Sequence, residues 1–194
     1  MKKYIWLTVI VICVLAASGR IYMINKNTQK YERIEYPKGE IVAFEDNFFD
    51  TSDFHSQGYA AKVIDSWIEP LDEYYEQHNQ EIPDEFSPED SIYMVKVEFF
   101  NRNKTEEEGG EGIYLSPRMS LRGTNYMITV SQEILPLANP SLPASQFSLR
   151  PDSSLEVIVP YVIKTAYEDI EHVKRDSPMI IMSEYPEMRL LHTQ

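Results

Sequence analysis

The sequence predicts an all-β domain, a sandwich of seven to eight short strands, set behind an N-terminal export segment. Three observations predict it. Stretches of alternating apolar and polar residues recur along the chain, the period-two signature of strands. Turn residues separate them at the short intervals usual in sandwiches. The body carries almost no convincing helical period. At 194 residues the chain is long enough for one domain with an appendage.

The appendage comes first. Lys2 and Lys3 precede an apolar run from Tyr4 that continues, past Arg20, to Ile24. A positive flank before an apolar core is an export signal. Tyr4–Ile24 is 21 residues, about 32 Å as helix at 1.5 Å per residue, which matches a hydrocarbon core of about 30 Å. Residues 1–24 are therefore expected to be a single-pass transmembrane anchor, with the membrane met by residues 4–24 and Arg20 snorkelling at the far end. The alternative is a signal peptide cut after Gly19, where Ala17-Ser18-Gly19 offers small residues. Lys2 and Lys3 hold the N-terminus in the cytoplasm, so the body lies outside the cell membrane, or is secreted if the segment is cut. Cys13 follows Val11 and Ile12 rather than small residues, so it reads as a membrane cysteine and not a lipidation site.

Residues 25–39 are polar, closed by Pro37 and Gly39, and read as a linker; the sandwich domain then occupies 40–194. Glu40–Phe44 suits an edge strand. Glu45–Gly58 is dense in turn residues. Tyr59, Ala61, Val63 and Trp67 alternate with polar neighbours as a strand, with Asp65 the misfit on their face. Leu71–Asn79 suits one or two helical turns. Ser91–Asn101 is the strongest strand, with Tyr93, Val95, Val97 and Phe99 on one face and Lys96 and Glu98 on the other, and is expected at the centre of a sheet. Asn101–Gly112 has the composition of a long exposed hairpin loop. Ile113–Leu115 and Thr124–Val130 are strand candidates with Arg122-Gly123 turning between them. Ser131–Gln146 has no clear period. Arg150–Ser153 is a turn, and Leu155, Val157, Val159 and Tyr161 alternate as the next strand. Thr165–Lys174 suits a short helix through Ala166, Ile170 and Val173. Met179–Ser183 and Met188–His192 read as a closing pair. The predicted core includes Val95, Val97, Phe99, Leu155, Val157 and Val159.

Four stretches carry a family resemblance: the N-terminal apolar segment, VKVEFFNRN at Val95–Asn103, RPDSSLEVIVPY at Arg150–Tyr161, and IIMSEYP at Ile180–Pro186. Over roughly residues 36–193 the chain resembles exported, membrane-anchored single-domain proteins of Gram-positive bacteria, grouped in domain-of-unknown-function families described as telokin-like. The resemblance implies an immunoglobulin-like sandwich and an outside location, and it carries over no site residues.

Composition excludes several function classes. Lys and Arg total 18 against 31 Asp and Glu, a net charge of -13. Nucleic-acid binding needs a basic face, so no nucleic-acid partner is expected. Beyond residue 24 there remain 15 basic residues against 31 acidic ones, a net charge of -16, which favours solubility. Seven glycines, about half of average usage, argue against a glycine-rich phosphate loop. One Cys allows neither an intrachain disulfide nor a cysteine-built metal site.

No catalytic motif appears. His55, His78, His172 and His192 fall in no HExxH spacing, and G-x-S-x-G, Walker A and G-x-G-x-x-G are missing. No catalytic residue, metal ligand or cofactor is predicted. Glu45-Asp46-Asn47 with Asp50 and Asp53 offers oxygen ligands for a hard cation, but the EF-hand spacing and its glycine are lacking, so a solvated loop is the reading. Glu106, Glu107, Glu108 and Glu111 read as a solvated hairpin tip. Asn103-Lys104-Thr105 matches a glycosylation acceptor by accident. Phe48, Phe49 and Phe54 stand in a loop; they are the candidate binding anchors, or else core.

The function expected is an extracellular, membrane-anchored binding domain, not an enzyme, with another envelope protein, a peptide or the cell wall as partner. One alternative is an accessory or immunity-type subunit of a membrane transporter. The other is a metal-assisted hydrolase of unrecognised type, which needs acids or histidines converging in a pocket.

Overall fold

The computed structural model describes residues 2–27, 32–45, 56–105, 112–116 and 118–194, with side chains in the first helix given for Trp6 and residues 13–26. The chain divides into two compact units, Met1–Tyr31 and Glu32–Gln194.

The first unit is one helix, α1, over Lys2–Asn27. Its 26 residues give a rod of about 39 Å. Cys13 and the residues after it to Lys26 are exposed within this unit. Among the described residues no helix is long and apolar enough to cross a membrane.

The second unit is mostly β. Its strands are β1 (Glu32–Tyr36), β2 (Val42–Ala43), β3 (Tyr59–Pro70), β4 (Ser91–Asn101), β5 (Ile113–Tyr114), β6 (Leu121–Arg122), β7 (Met127–Ile128), β8 (Gln146–Phe147), β9 (Ser153–Ile163), β10 (Met179–Ser183) and β11 (Glu187–His192). Three short helices interrupt them: α2 (Leu71–Gln77), α3 (Leu135–Ala138) and α4 (Ile170–Asp176). Among the described residues this makes eleven strands rather than seven or eight. The excess is β1, β6 and β8, of which β6 and β8 are two-residue strands, too short to leave a periodic signal.

The strands form a sheet ordered β1-β11-β10-β6-β7, a second ordered β2-β3-β4-β9, and a β5-β8 pair. β4 takes the central place predicted for it, paired antiparallel to β3 and β9. Its inward residues Tyr93, Val95, Val97 and Phe99 are buried in a cluster with Val157 and Val159 of β9, Leu121 of β6, Ile180 of β10 and Leu191 of β11. The Phe99 and Phe147 rings meet edge to face, centroids 5.7 Å apart, an arrangement worth about 0.5–1.5 kcal/mol beyond its buried area. Leu155 departs from the predicted core: it is only partly buried and packs against the cluster.

The opposite face of β4 changes along its length. Leu71, Tyr74 and Tyr75 of α2 lie at helical spacing and bury Ile92 and Met94, which is why the sequence runs apolar through IYMV. Beyond α2, Lys96 and Glu98 return to solvent and pair with Glu156 and Lys62.

Four sequence expectations shift. Ile64 of β3 has no partner on β4, because a bulge lies between Val63, opposite Val97, and Asp65, opposite Lys96. The extra residue reverses the alternation. Asp65 therefore points outward to Lys38, at 3.0 Å, and Ile68 rather than Trp67 packs on the core. Second, the stretch read as a linker contains β1, which pairs parallel with β11; its alternation is too short to stand out among charges. Third, the helix expected from Thr165 begins at Ile170, because the Asp169 side chain accepts the Glu171 N–H at 3.0 Å and fixes the start there. Arg122, expected in a turn, lies in β6; the turn is Gly123–Tyr126, closed by the Gly123 N–H on the Tyr126 carbonyl.

Candidate functional site

An open groove of about 600 Å³ lies where an edge strand of the five-stranded sheet meets an edge strand of the four-stranded one. That volume falls within the ordinary range for ligand sites. Its floor is Ile128, Val130 and Val162, and its rim carries Met127, Glu133, Lys164, Tyr167 and Glu168. A second cavity of about 500 Å³ continues it past Phe86, Lys164 and Tyr167.

The walls are positioned by buried polar groups. Asp90 is 4% exposed and ties three segments together. Its carboxylate accepts the Ser87 N–H and the Thr165 N–H, each at 2.9 Å. Its carbonyl accepts the Leu71 N–H. The loop before β4 and the loop after β9 are thereby fixed side by side. Lys164 then reaches the Glu85 carbonyl at 3.0 Å and lies 5.6 Å above the Phe86 ring. On the other side the Ser131 N–H bonds the Pro160 carbonyl, and the Ser131 hydroxyl accepts the Ile134 N–H.

The free edge of β9 is closed for part of its length. Asn139 donates to the Ile158 carbonyl at 2.7 Å and accepts the Ile158 N–H at 2.8 Å. Those bonds show that the main chain of Ile158 faces away from β4. With unbroken register through Ile92↔Val162, alternation puts the N–H and carbonyl of Val162 on the same outer edge, in the groove. The hairpin bond between Gly123 and Tyr126 sets the parity of β7 in the same way: Met127 turns its N–H and carbonyl away from β6. Among the described residues neither Met127 nor Val162 has a main-chain partner on that side.

Two side chains project from the rim unusually far, Met127 at 62% and Tyr167 at 84% exposure. Below it, Thr124 donates its N–H to Asp176 at 2.6 Å, and its hydroxyl also bonds that carboxylate. Burial pushes the Asp176 carboxyl up, but the Thr124 bonds outweigh it and hold the group below the ordinary carboxylate range. Tyr126 beside it is raised well above its usual value, first by burial and then by the negative Asp176.

The sequence-predicted candidates lie elsewhere. Phe48, Phe49 and Phe54 fall outside the described residues, as do His55, Asp46, Asn47, Asp50, Asp53 and the acids at 106–108 and 111. Glu45 binds Arg189 at 2.6 Å. Among the described residues no three acids, histidines or cysteines cluster as a metal site would need. The described histidines bond separately: His78 to the Tyr74 carbonyl at 2.8 Å, His172 to Glu168 at 2.6 Å and His192 to Glu35 at 3.1 Å. Asn103 of the glycosylation pattern donates to the Gln57 carbonyl at 2.8 Å, and its side chain fills the place a Cβ on Gly58 would take. Sequence reasoning missed the groove. A signal lies in Met127 and Tyr167, large residues beside turn and polar positions, but the strand reading of Thr124–Val130 and the helix reading of Thr165–Lys174 absorb both.

No curated protein and no solved structure matches the chain. A family described as "Domain of unknown function (DUF5028)" matches residues 33–189, from within β1 to within β11. The match takes in nearly the whole β unit with both groove-lining edges, and the chain belongs to that family.

Proposed function

We propose that this protein is a binding domain held outside the cell membrane by its N-terminal helix, and that the groove beside β7 and β9 is its binding face. The observation that carries the binding reading is a groove with an apolar floor, a mixed-charge rim and two projecting side chains, braced by the buried Asp90. Apolar surface beside fixed polar groups is what a specific site requires. The groove replaces the loop phenylalanines as the first place to probe.

The anchor reading is supported by the Tyr4–Ile24 run behind Lys2 and Lys3 and by the continuous helix over Lys2–Asn27. Secretion after cleavage at Gly19 is its alternative. The immunoglobulin-like sandwich and the exported Gram-positive families belong to the same proposal. A core shared by residues of both larger sheets supports the sandwich, while the parallel β1–β11 pairing departs from the antiparallel pattern of that fold.

The test places a photoreactive benzoylphenylalanine at Tyr167 in the full chain, in its own cells, with the same residue at Ile41 as a control. A discrete adduct from position 167 that is weakened by Met127→Ala supports the groove. An equal adduct from both positions, or none from position 167, overturns it.

A further inference from the structure

We propose that the groove takes an extended, basic polypeptide segment, which adds as a strand to the open edge of β7. This rests on the groove being the binding face and names its occupant. Met127 and Val162 present main-chain donors and acceptors toward one groove from two different sheets, and among the described residues nothing pairs with them. An extended main chain satisfies such edges and a compact small molecule does not. Next to the groove the edge of β9 is covered: Asn139 takes both main-chain groups of Ile158, and the Pro160 carbonyl is taken by Ser131. The edge of β9 is thus closed at Ile158 and Pro160 and, among the described residues, open at Val162 in the groove.

Charge selects the segment. Glu133 and Glu168 stand on the rim, and Asp84, Glu85 and Glu89 line the continuing cavity. Among the described residues of both cavities Lys164 is the one cation, and its ammonium is already engaged by the Glu85 carbonyl and the Phe86 ring. A strand with alternating side chains would turn apolar residues to Val130 and Val162 and basic residues to the acidic rim.

The probe is a fluorescein-labelled, acetylated Lys-Val repeat of eight residues, added to the full chain in a neutral detergent. Two controls accompany it: a Glu-Val repeat, and the Lys-Val repeat N-methylated at every residue, which keeps charge and side chains but loses its donors. The Lys-Val peptide is expected to bind at least tenfold tighter than either. Amide exchange at Met127 and Val162 should slow at least tenfold in its complex. Met127→Pro, which deletes the edge N–H at an exposed position, and Glu133→Lys should each weaken binding about tenfold with the melting temperature retained, while Ile41→Ala, exposed and outside the groove, should bind as wild type.

Equal binding of the N-methylated peptide overturns strand addition, and equal binding of the Glu-Val peptide overturns the charge selection. Exchange protection outside 125–133 and 160–168 overturns the site. If no peptide binds but position 167 still gives its crosslink, this inference fails and the groove stands; if the crosslink is also missing, both fail.

Discussion

Val97 shows how much one residue decides. It is fully buried, opposite Val63 on one side and Val157 on the other. A carboxylate there has no partner to offset its desolvation, a cost of several kcal/mol or more. Val97→Asp is expected to unfold the β unit, and a variant melting within about two degrees of wild type would refute the register. Asp176 carries a pH dependence. Its carboxyl lies below the ordinary value of 3.8, and Glu98, held first by its bond from Lys62, lies below 4.5. A lowered folded value means that the unfolded chain binds protons first. These groups therefore contribute full stability at neutral pH, and lose it as pH falls through about 4 toward their folded values. Asp176→Asn should flatten the acid limb of a melting-temperature profile below about pH 4. A limb unchanged from wild type would show that Thr124 does not hold that charge.

Elements depend on one another more than on their own pattern. The bulge in β3 makes Asp65 and Trp67 face outward although strict alternation places them inward. Ile68→Asp is accordingly expected to destabilise by about 2 kcal/mol more than Trp67→Asp, since only the first buries a charge against the core. Urea unfolding measures both, and equal losses would argue for an unbulged strand. The helices follow the same logic. α2 is seven residues long, far below the length at which isolated helices hold in water, and it persists because Leu71, Tyr74 and Tyr75 cover Ile92 and Met94. Arg189 shows a side chain linking elements: from β11 it donates to the Ala43 carbonyl of β2 at 2.6 Å and pairs with Glu45 and Glu187.

At the scale of the whole molecule, the net charge is -13, which opposes association between copies and repels polyanions. It also bears on the acidic rim, since a chain of this charge attracts basic partners. The proposed topology has a direct measurement. Protease added to intact protoplasts should degrade the β unit and spare a short N-terminal stub. Full protection of the β unit would put it inside and overturn the topology; a mature N-terminus at Arg20 would turn the anchor into a cleaved signal.

The sequence by itself determined the β class, the span and centrality of Ser91–Asn101, the strand around Leu155–Tyr161 and the closing β10–β11 pair. These are long enough for alternation to show which face is buried. It also made plain that histidines and cysteine fall in no ligand spacing. Tertiary structure decided the rest. Two-residue strands such as β6 and β8 exist only because neighbours pair with them, β1 is a strand because β11 lies beside it, and the bulge at Ile64 shows only in the register against β4. The groove was illegible for the same reason. Its floor joins Val130 to Val162 and its wall joins Asp90 to Thr165, residues far apart in the chain, and the open main-chain edges at Met127 and Val162 carry no side-chain signature. Backbone hydrogen bonds left unpaired are a property of how strands are arranged, and only the folded chain has one.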